Sequence, residues 1–300
     1  MFSSMDDDSI KLLQQDGRHV IVFGGPNGSG KTSLIDEVKQ TGLQTVSRVY
    51  PVPERFINPD QVANAAMVTL VLLPGMDGSG DLFAGFIAAL GDQVDAIVIS
   101  YPPALALGYA GLTEHARAQL PLDRPFVLIG ESFSGPVAVA LAASQPPGLI
   151  GLVLCCTFAR NPRPLLTPLR ILVSVLPMSS TLTPLIAPFL LGFGAPLALR
   201  RALRAALDQV PPARLRLRLK EVMAVDYTAR VRSIDVPVLY LQATRDWIVP
   251  AAAARLLASL CRDWRLVALR GPHLLLQSVP GQAATTINNF VAALAAERTQ

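Results

Sequence analysis

Charged residues are scarce in this sequence: lysine, arginine, aspartate and glutamate make up 16% of 300 residues, against 51% for hydrophobic residues. Such a composition supplies a large buried core and excludes bulk disorder. Aromatic residues reach only 6%. The arginine-rich stretch at 200–218 contains no aromatic side chain to stack on a base. We therefore interpret that stretch as a solvated helical face and expect no nucleic-acid partner.

Cysteine is also rare, at three residues. Cys155 and Cys156 are adjacent within an apolar run, which is typical of buried strand residues rather than of metal ligands or a disulfide framework. The first residues are acidic and lack the basic and apolar regions of a secretory signal. We therefore expect a cytoplasmic protein with reduced thiols.

No charged residue lies between Arg170 and Arg200. This run is long enough to cross a bilayer, but four prolines interrupt it, and each would break or kink a helix. We interpret the run as part of a hydrophobic cap over an active site. Contact of this cap with a membrane surface stays open as an alternative.

The composition changes near residue 66. Three of the four lysines precede this point, whereas one lysine and nineteen arginines follow it. The change predicts a short segment at 1–66 and a large domain at 67–300. In the large domain apolar strands alternate with helices, which predicts an α/β fold with a mostly parallel sheet covered by helices on both faces. We expect strands at 68–73, 95–99, 126–130, 150–155, 237–242 and 265–269, helices at 81–90, 110–120, 135–144, 250–261 and 281–296, and a helical cap insertion at about 160–230.

The strongest motif follows the strand predicted at 126–130. This strand runs into the segment Gly130-Glu131-Ser132-Phe133-Ser134-Gly135 and then into an apolar helix. A serine between a buried strand and a helix, flanked by small residues, is typical of a nucleophile elbow. Ser134 replaces the glycine that is usual at its position, and serine is small enough to fit. We predict that Ser132 is a nucleophile.

A serine nucleophile needs a base, and the chain has only three histidines. His19 belongs to the N-terminal segment, and His115 lies in a predicted helix, where a surface or packing role is expected. His273 directly follows the strand predicted at 265–269, so it lies at the same edge of the sheet as Ser132. We predict that His273 is the general base.

An acid must orient the histidine, and Asp246 directly follows the strand predicted at 237–242. Asp235 and Asp263 precede strands and so lie at the opposite edge of the sheet. The other acids between serine and histidine fall in the cap insertion, at Asp208, Glu221 and Asp226. We predict that Asp246 is the orienting acid.

An oxyanion hole needs two backbone N–H groups. We predict that Phe133, directly after the nucleophile, supplies one. Met76, in the glycine-rich turn after the first strand of the domain, is predicted to supply the other. Asp77 in the same turn is expected to have a turn or capping role.

With these residues in place, 67–300 resembles the α/β-hydrolase superfamily in a compact form. The resemblance implies that Ser132 attacks an acyl carbonyl, His273 transfers the proton and Asp246 orients His273. It also implies a small-molecule ester or thioester as substrate and no cofactor for hydrolysis. The apolar cap favours an apolar acyl or alkyl group.

The N-terminal segment carries a second motif. An apolar strand at 19–23 leads into Gly24-Gly25-Pro26-Asn27-Gly28-Ser29-Gly30-Lys31-Thr32, a complete G-x-x-x-x-G-K-T phosphate loop. In such loops, backbone N–H groups cradle phosphates, the lysine reaches the terminal phosphates and the threonine holds Mg²⁺. We expect ATP and magnesium to bind at Gly25, Gly28, Ser29, Gly30, Lys31 and Thr32.

This phosphate loop, together with Phe56-Ile57-Asn58-Pro59-Asp60, resembles the zeta-toxin and UDP-N-acetylglucosamine kinase family. The resemblance implies that Asp60 would activate a sugar hydroxyl. However, 66 residues leave no room for the further parallel strands, metal-holding acid and lid arginines of a phosphotransfer domain. We interpret 1–66 as a truncated kinase start that retains nucleotide binding at most. Two alternatives to a hydrolase therefore stay open: an ATP-dependent small-molecule kinase, and a non-catalytic binding protein with a hydrolase fold.

Overall fold

The computed structural model describes residues 10–15, 18–23, 68–91, 94–174, 178 and 180–298. The chain divides into two compact units, Met1–Ala66 and Met67–Gln300. In the first unit, strand β1 (Ile10–Gln15) pairs antiparallel with strand β2 (Arg18–Phe23). The predicted phosphate loop and Asp60 lie outside the described residues.

Six parallel strands form the sheet of the second unit. They are β3 (Thr69–Leu73), β4 (Asp95–Val98), β5 (Phe126–Glu131), β6 (Leu149–Cys155), β7 (Val238–Ala243) and β8 (Trp264–Leu269). Their order in the sheet is β4-β3-β5-β6-β7-β8. Helices cover both faces of the sheet, which is why these strands are nearly continuous apolar runs in the sequence. This arrangement confirms the predicted mostly parallel sheet.

Helices pack on the sheet through two separate apolar clusters. Alternate residues of a strand face opposite sides, so Val71 and Leu73 belong to one cluster, and Leu70 and Leu72 to the other. The first cluster includes α2 (Tyr109–Arg117), α3 (Gly135–Ala143) and α8 (Ala251–Ala258). The second includes α1 (Ala84–Leu90), α9 (Leu275–Ser278) and α10 (Pro280–Arg298).

The cap lies between β6 and β7. It contains 3-10 helices at Pro164–Ser174 and Ser180–Leu182, then α4 (Thr183–Leu191), α5 (Leu197–Asp208) and α6 (Pro212–Ala224), and it is followed by the short α7 (Thr228–Val231). Within the described residues, no helix has the length and apolar character needed to cross a membrane. Several apolar side chains of the cap are largely exposed, among them Leu165, Ile171 and Phe193.

The two chain segments that connect the cap to the sheet lie side by side. The Asn161 N–H donates to the Val225 carbonyl at 3.0 Å, and the Tyr227 N–H donates to the Ala159 carbonyl at 2.8 Å. We call this pair of hydrogen-bonded segments the neck. The cap therefore leaves the sheet and returns to it at one place.

Candidate active site

Ser132 occupies a strained turn between β5 and α3. Its φ angle is 50°, in the left-handed region that non-glycine residues rarely adopt. The turn is tight because strand and helix nearly touch: a Cβ atom added at Gly130 would lie 2.6 Å from the Cβ atom of Ala138. A Cβ atom at Gly135 would overlap the Thr157 side chain. The glycines at these two positions therefore permit the turn that presents Ser132.

The structure brings Ser132, His273 and Asp246 together at the carboxyl edge of the sheet. The Ser132 Oγ atom lies 2.7 Å from His273 Nε2, and His273 Nδ1 lies 2.8 Å from Asp246 Oδ2. Both the imidazole and the carboxylate are buried, with 2% and 6% of their side-chain surface exposed. Since a carboxylate only accepts hydrogen bonds, Nδ1 donates to Asp246 and Nε2 is left to accept the Ser132 hydroxyl proton.

The second carboxylate oxygen of Asp246 is also held. Its Oδ1 atom accepts hydrogen bonds from the backbone N–H groups of Ile248 at 2.8 Å and Val249 at 2.9 Å. These bonds fix the orientation of the carboxylate toward His273. Three side chains distant in sequence thus form one continuous hydrogen-bonded relay.

Thr157 and Tyr240, which the sequence analysis did not indicate, hold the backbone of the elbow through hydrogen bonds. The Thr157 hydroxyl donates to the Ser132 carbonyl. The Tyr240 hydroxyl donates to the Thr157 carbonyl at 2.8 Å and accepts from the Thr157 N–H at 3.1 Å. Burial raises the pKa of Tyr240 well above its ordinary value, so this phenol stays protonated and able to donate. Thr157 follows β6 at the same sheet edge, and this position is the signal that could have identified it.

The turn after β3 provides one N–H group and the elbow provides another. The turn is closed by a hydrogen bond from the Gly78 N–H to the Gly75 carbonyl at 3.1 Å. Among the described residues, no acceptor binds the Met76 N–H. Phe133 is the second residue of the 3-10 turn Ser132–Ser134, where an N–H group has no intrahelical acceptor. Both groups that were predicted for the oxyanion hole are thus available to an external oxygen.

Ser134, the second hydroxyl of the elbow, has a different environment from Ser132. It is fully buried, and its Oγ atom donates to the Pro74 carbonyl. Since its single proton is used there, the Tyr101 hydroxyl at 2.5 Å is the donor in the contact between these two side chains. Burial raises the pKa of Tyr101, which keeps this donor protonated. Ser134 therefore joins the elbow to the turn after β3 at residues 74–78, which we call the oxyanion turn.

Two polar residues near the site have structural roles. The Asp77 carboxylate accepts hydrogen bonds from the Ser79 N–H at 3.0 Å and the Ser79 hydroxyl at 2.7 Å, as expected of a turn residue. His115 is half-buried on α2, and its Nε2 atom lies 3.0 Å from the Ser100 carbonyl.

Glu131, directly before the nucleophile, is a buried acid. Its side chain is 1% exposed, and its Oε2 atom accepts a hydrogen bond from Gln277 at 3.0 Å. Neither Glu131 Oε1 nor Gln277 Oε1 has a partner among the described residues. Burial raises the pKa of Glu131 to about 8, and the nearby Asp77 charge adds to the rise, while the Gln277 bond opposes it. Glu131 is therefore mostly protonated at pH 7.

We expect Glu131→Gln to change how stability depends on pH. Folding raises the Glu131 pKa from 4.5 to about 8, so the folded protein binds this proton more tightly than the unfolded chain does. The wild-type protein therefore loses stability as pH rises through this window. Glutamine stays neutral and avoids the loss, with a gain in the free energy of unfolding on the order of a few kcal/mol at pH 9 and little change at pH 5.

Urea denaturation at a series of pH values from 5 to 9 measures this effect. Glu114→Gln is the matched control, because Glu114 is 70% exposed on α2. Its stability should follow the wild-type curve. Parallel pH curves for Glu131→Gln and the wild-type protein would contradict the expectation.

Comparison with protein families matches residues 70–285 to the alpha/beta hydrolase family. This range includes the relay and the cap, and it begins after the N-terminal segment. No comparison supports the kinase-like resemblance of residues 1–66. No curated protein sequence matches the chain significantly.

Many solved structures share the fold. The enol-lactonase from Burkholderia xenovorans LB400 is 20% identical, with a TM-score of 0.64, and the match covers 75% of this chain and 92% of that one. A thermophilic esterase from Thermogutta terrifontis is 19% identical, with a TM-score of 0.66 and coverage of 76% and 91%. The esterase EaEST from Exiguobacterium antarcticum is 13% identical, with a TM-score of 0.66 and coverage of 76% and 92%. At these identities the matches establish the fold.

Proposed function

Because this chain belongs to the alpha/beta hydrolase family, we propose that it is a serine hydrolase that cleaves a carboxylic ester or thioester through an acyl-enzyme intermediate. The observation that carries the proposal is the unbroken relay from the Ser132 hydroxyl through His273 to Asp246. A hydroxyl within hydrogen-bonding reach of a base, with the base held by a carboxylate, is the arrangement that makes serine nucleophilic.

The proposed reaction has two stages, acylation of Ser132 and hydrolysis of the acyl-enzyme. As the Ser132 Oγ atom forms its bond to the acyl carbon, its proton moves to His273 Nε2, and the carbonyl oxygen becomes negative. The N–H groups of Met76 and Phe133 stabilise that oxygen. When the bond to the leaving alcohol or thiol breaks, His273 returns the proton to it. Water then attacks the acyl-enzyme with the same proton transfers and releases a carboxylic acid and free Ser132.

An ester or thioester of a small molecule is the proposed substrate. The structural neighbours include a lactonase and two esterases, which favours acyl–oxygen chemistry. The apolar cap favours an apolar acyl or alkyl group, since its apolar helix α4 lies beside His273, where the Leu274 N–H donates to the Leu190 carbonyl at 2.8 Å. Hydrolases of this family generally need no cofactor. The described cysteines, Cys155, Cys156 and Cys261, are free thiols, which supports a reducing cytoplasmic setting.

Labelling with a fluorophosphonate probe tests the proposal. Ser132 should attack phosphorus and displace fluoride, which leaves a stable phosphonyl-serine that mass spectrometry locates in the peptide containing residue 132. Competition by p-nitrophenyl esters and acyl thioesters of increasing chain length should slow the labelling and rank the acyl groups. Ser132→Ala should remain unlabelled. An unlabelled wild-type protein would instead favour a non-catalytic binding protein with this fold.

A further inference from the structure

The cap reaches the oxyanion turn through Arg218. Arg218, on α6, is only 3% exposed. Its Nη1 atom donates hydrogen bonds to the Met76 carbonyl at 2.6 Å and to the Asp77 carbonyl at 2.9 Å. The guanidinium carbon also lies 5.7 Å from the Tyr101 ring centre and 5.9 Å from that of Phe133. Arg218 thus contacts both residues assigned to the oxyanion hole.

The buried guanidinium of Arg218 carries a full charge, and no carboxylate in the described part of the chain lies within ion-pair distance of it. Asp77 is close enough to favour that charge, but its Oδ2 atom is bound to Ser79. Burial lowers the pKa of Arg218, as expected for a desolvated cation. An unpaired buried charge is costly for stability. The reaction supplies a transient anion close by, on the oxygen held by Met76 and Phe133.

The oxyanion turn depends on Arg218 for its conformation. Every backbone carbonyl from residue 74 to residue 78 accepts a hydrogen bond: Pro74 from Ser134, Gly75 from Gly78, Met76 and Asp77 from Arg218, and Gly78 from the Tyr101 N–H. Without Arg218, the Met76 and Asp77 carbonyls would lose their hydrogen-bond donor. The Asp77–Gly78 peptide group would keep only the bond from the Gly78 N–H to the Gly75 carbonyl. The turn also makes room for the guanidinium, since a Cβ atom at Gly78, where φ is 72°, would lie 2.6 Å from Nη1.

We propose that Arg218 is a positioning residue, by which the cap holds the oxyanion turn in its reactive conformation and adds positive charge beside the developing oxyanion. The proposal rests on the hydrolase function proposed above. The stabilisation that Arg218 provides increases as negative charge forms on the carbonyl oxygen. Arg218 therefore lowers the energy of the transition state more than that of the bound substrate. The effect should therefore appear in kcat, for neutral substrates as well as for charged ones.

Arg218→Met tests the proposal, because methionine fills part of the site without charge or donors. With neutral p-nitrophenyl esters we expect kcat to fall by about 30- to 300-fold, with KM changed by less than about threefold, on the scale of losing one oxyanion-hole donor. Fluorophosphonate labelling of Ser132 should slow by a similar factor. Arg201→Met is the matched control: it removes the same charge from an exposed position on α5, and its kcat should stay within about twofold of wild type.

Two further variants separate positioning from a general loss of structure. Arg218→Lys retains the charge and a donating nitrogen and should recover part of kcat. Arg218→Ala leaves a cavity, and added guanidinium at millimolar concentration should raise its kcat while leaving Arg201→Met unaffected. Thermal unfolding of each variant shows whether the protein is folded. If Arg218→Met does not fold, the kcat of Arg218→Lys tests the proposal instead.

The outcomes distinguish the two proposals. An unreactive wild-type protein would overturn the hydrolase function and this inference with it. A reactive wild-type protein with an unchanged kcat in Arg218→Met would overturn the inference alone. A loss confined to KM for substrates that carry a carboxylate would also overturn it, because Arg218 would then bind substrate rather than position the oxyanion turn.

Discussion

Ser132→Ala is expected to lower kcat for p-nitrophenyl esters by about 10⁴- to 10⁶-fold, because the variant lacks the atom that forms the acyl-enzyme. The fold should persist, since the hydroxyl's only partner in the relay is His273. Release of p-nitrophenolate measures the turnover, and circular dichroism measures the fold. The residual turnover should approach the rate enhancement that the oxyanion hole and substrate binding provide without the nucleophile.

Ser134→Ala is the informative comparison, because it removes the other hydroxyl of the same elbow. That hydroxyl donates to the Pro74 carbonyl, so its loss leaves a buried carbonyl unpaired and should cost about 1–3 kcal/mol of stability. Its kcat should fall by less than about tenfold. If Ser134→Ala abolished turnover while Ser132→Ala preserved it, the assignment of the nucleophile would be wrong.

Asp246→Asn is expected to lower kcat by about 10³- to 10⁴-fold. The amide oxygen can still accept from the N–H groups of Ile248 and Val249, which directs the amide NH₂ group toward His273 Nδ1. Nδ1 must then accept, so the imidazole proton moves to Nε2. A protonated Nε2 cannot take the proton of Ser132, and the base is lost although the geometry is kept.

The matched control is Asp235→Asn. Asp235 precedes β7 at the opposite edge of the sheet and pairs with Arg262 at 2.9 Å on the protein surface. Its replacement should leave kcat within about twofold of wild type, because an exposed ion pair contributes little even to stability. Steady-state rates for both variants at saturating ester provide the comparison. A loss below tenfold in Asp246→Asn would mean that another group orients His273.

The positions of the relay residues could be predicted because the sheet is parallel and buried. Continuous apolar runs marked its strands, and residues directly after such strands share one edge of the sheet. Ser132, Asp246 and His273 were identified by this rule and by their order in the chain. The residues before strands, such as Asp235, were excluded by the same rule. Helix ends were less accurate: the helix predicted at 110–120 ends at Arg117.

The supporting contacts could not be predicted, because they depend on packing between distant segments. Thr157 and Tyr240 meet only when β6 and β7 are neighbours in the sheet. Arg218 belongs to an arginine-rich helix and resembles its surface neighbours in sequence, so its burial follows only from how the cap folds over the turn. The strand at Ile10–Gln15 was also missed, since its polar end weakens the strand pattern.

The neck has an evolutionary consequence. Because the cap begins and ends at one hydrogen-bonded place, the segment between Asn161 and Val225 can be exchanged by recombination without moving the strands that carry the relay. New substrate preferences could arise in this way. A cap obtained from another protein would also need a cationic side chain at the position of Arg218. Only some of the caps exchanged in this way would therefore yield an active enzyme.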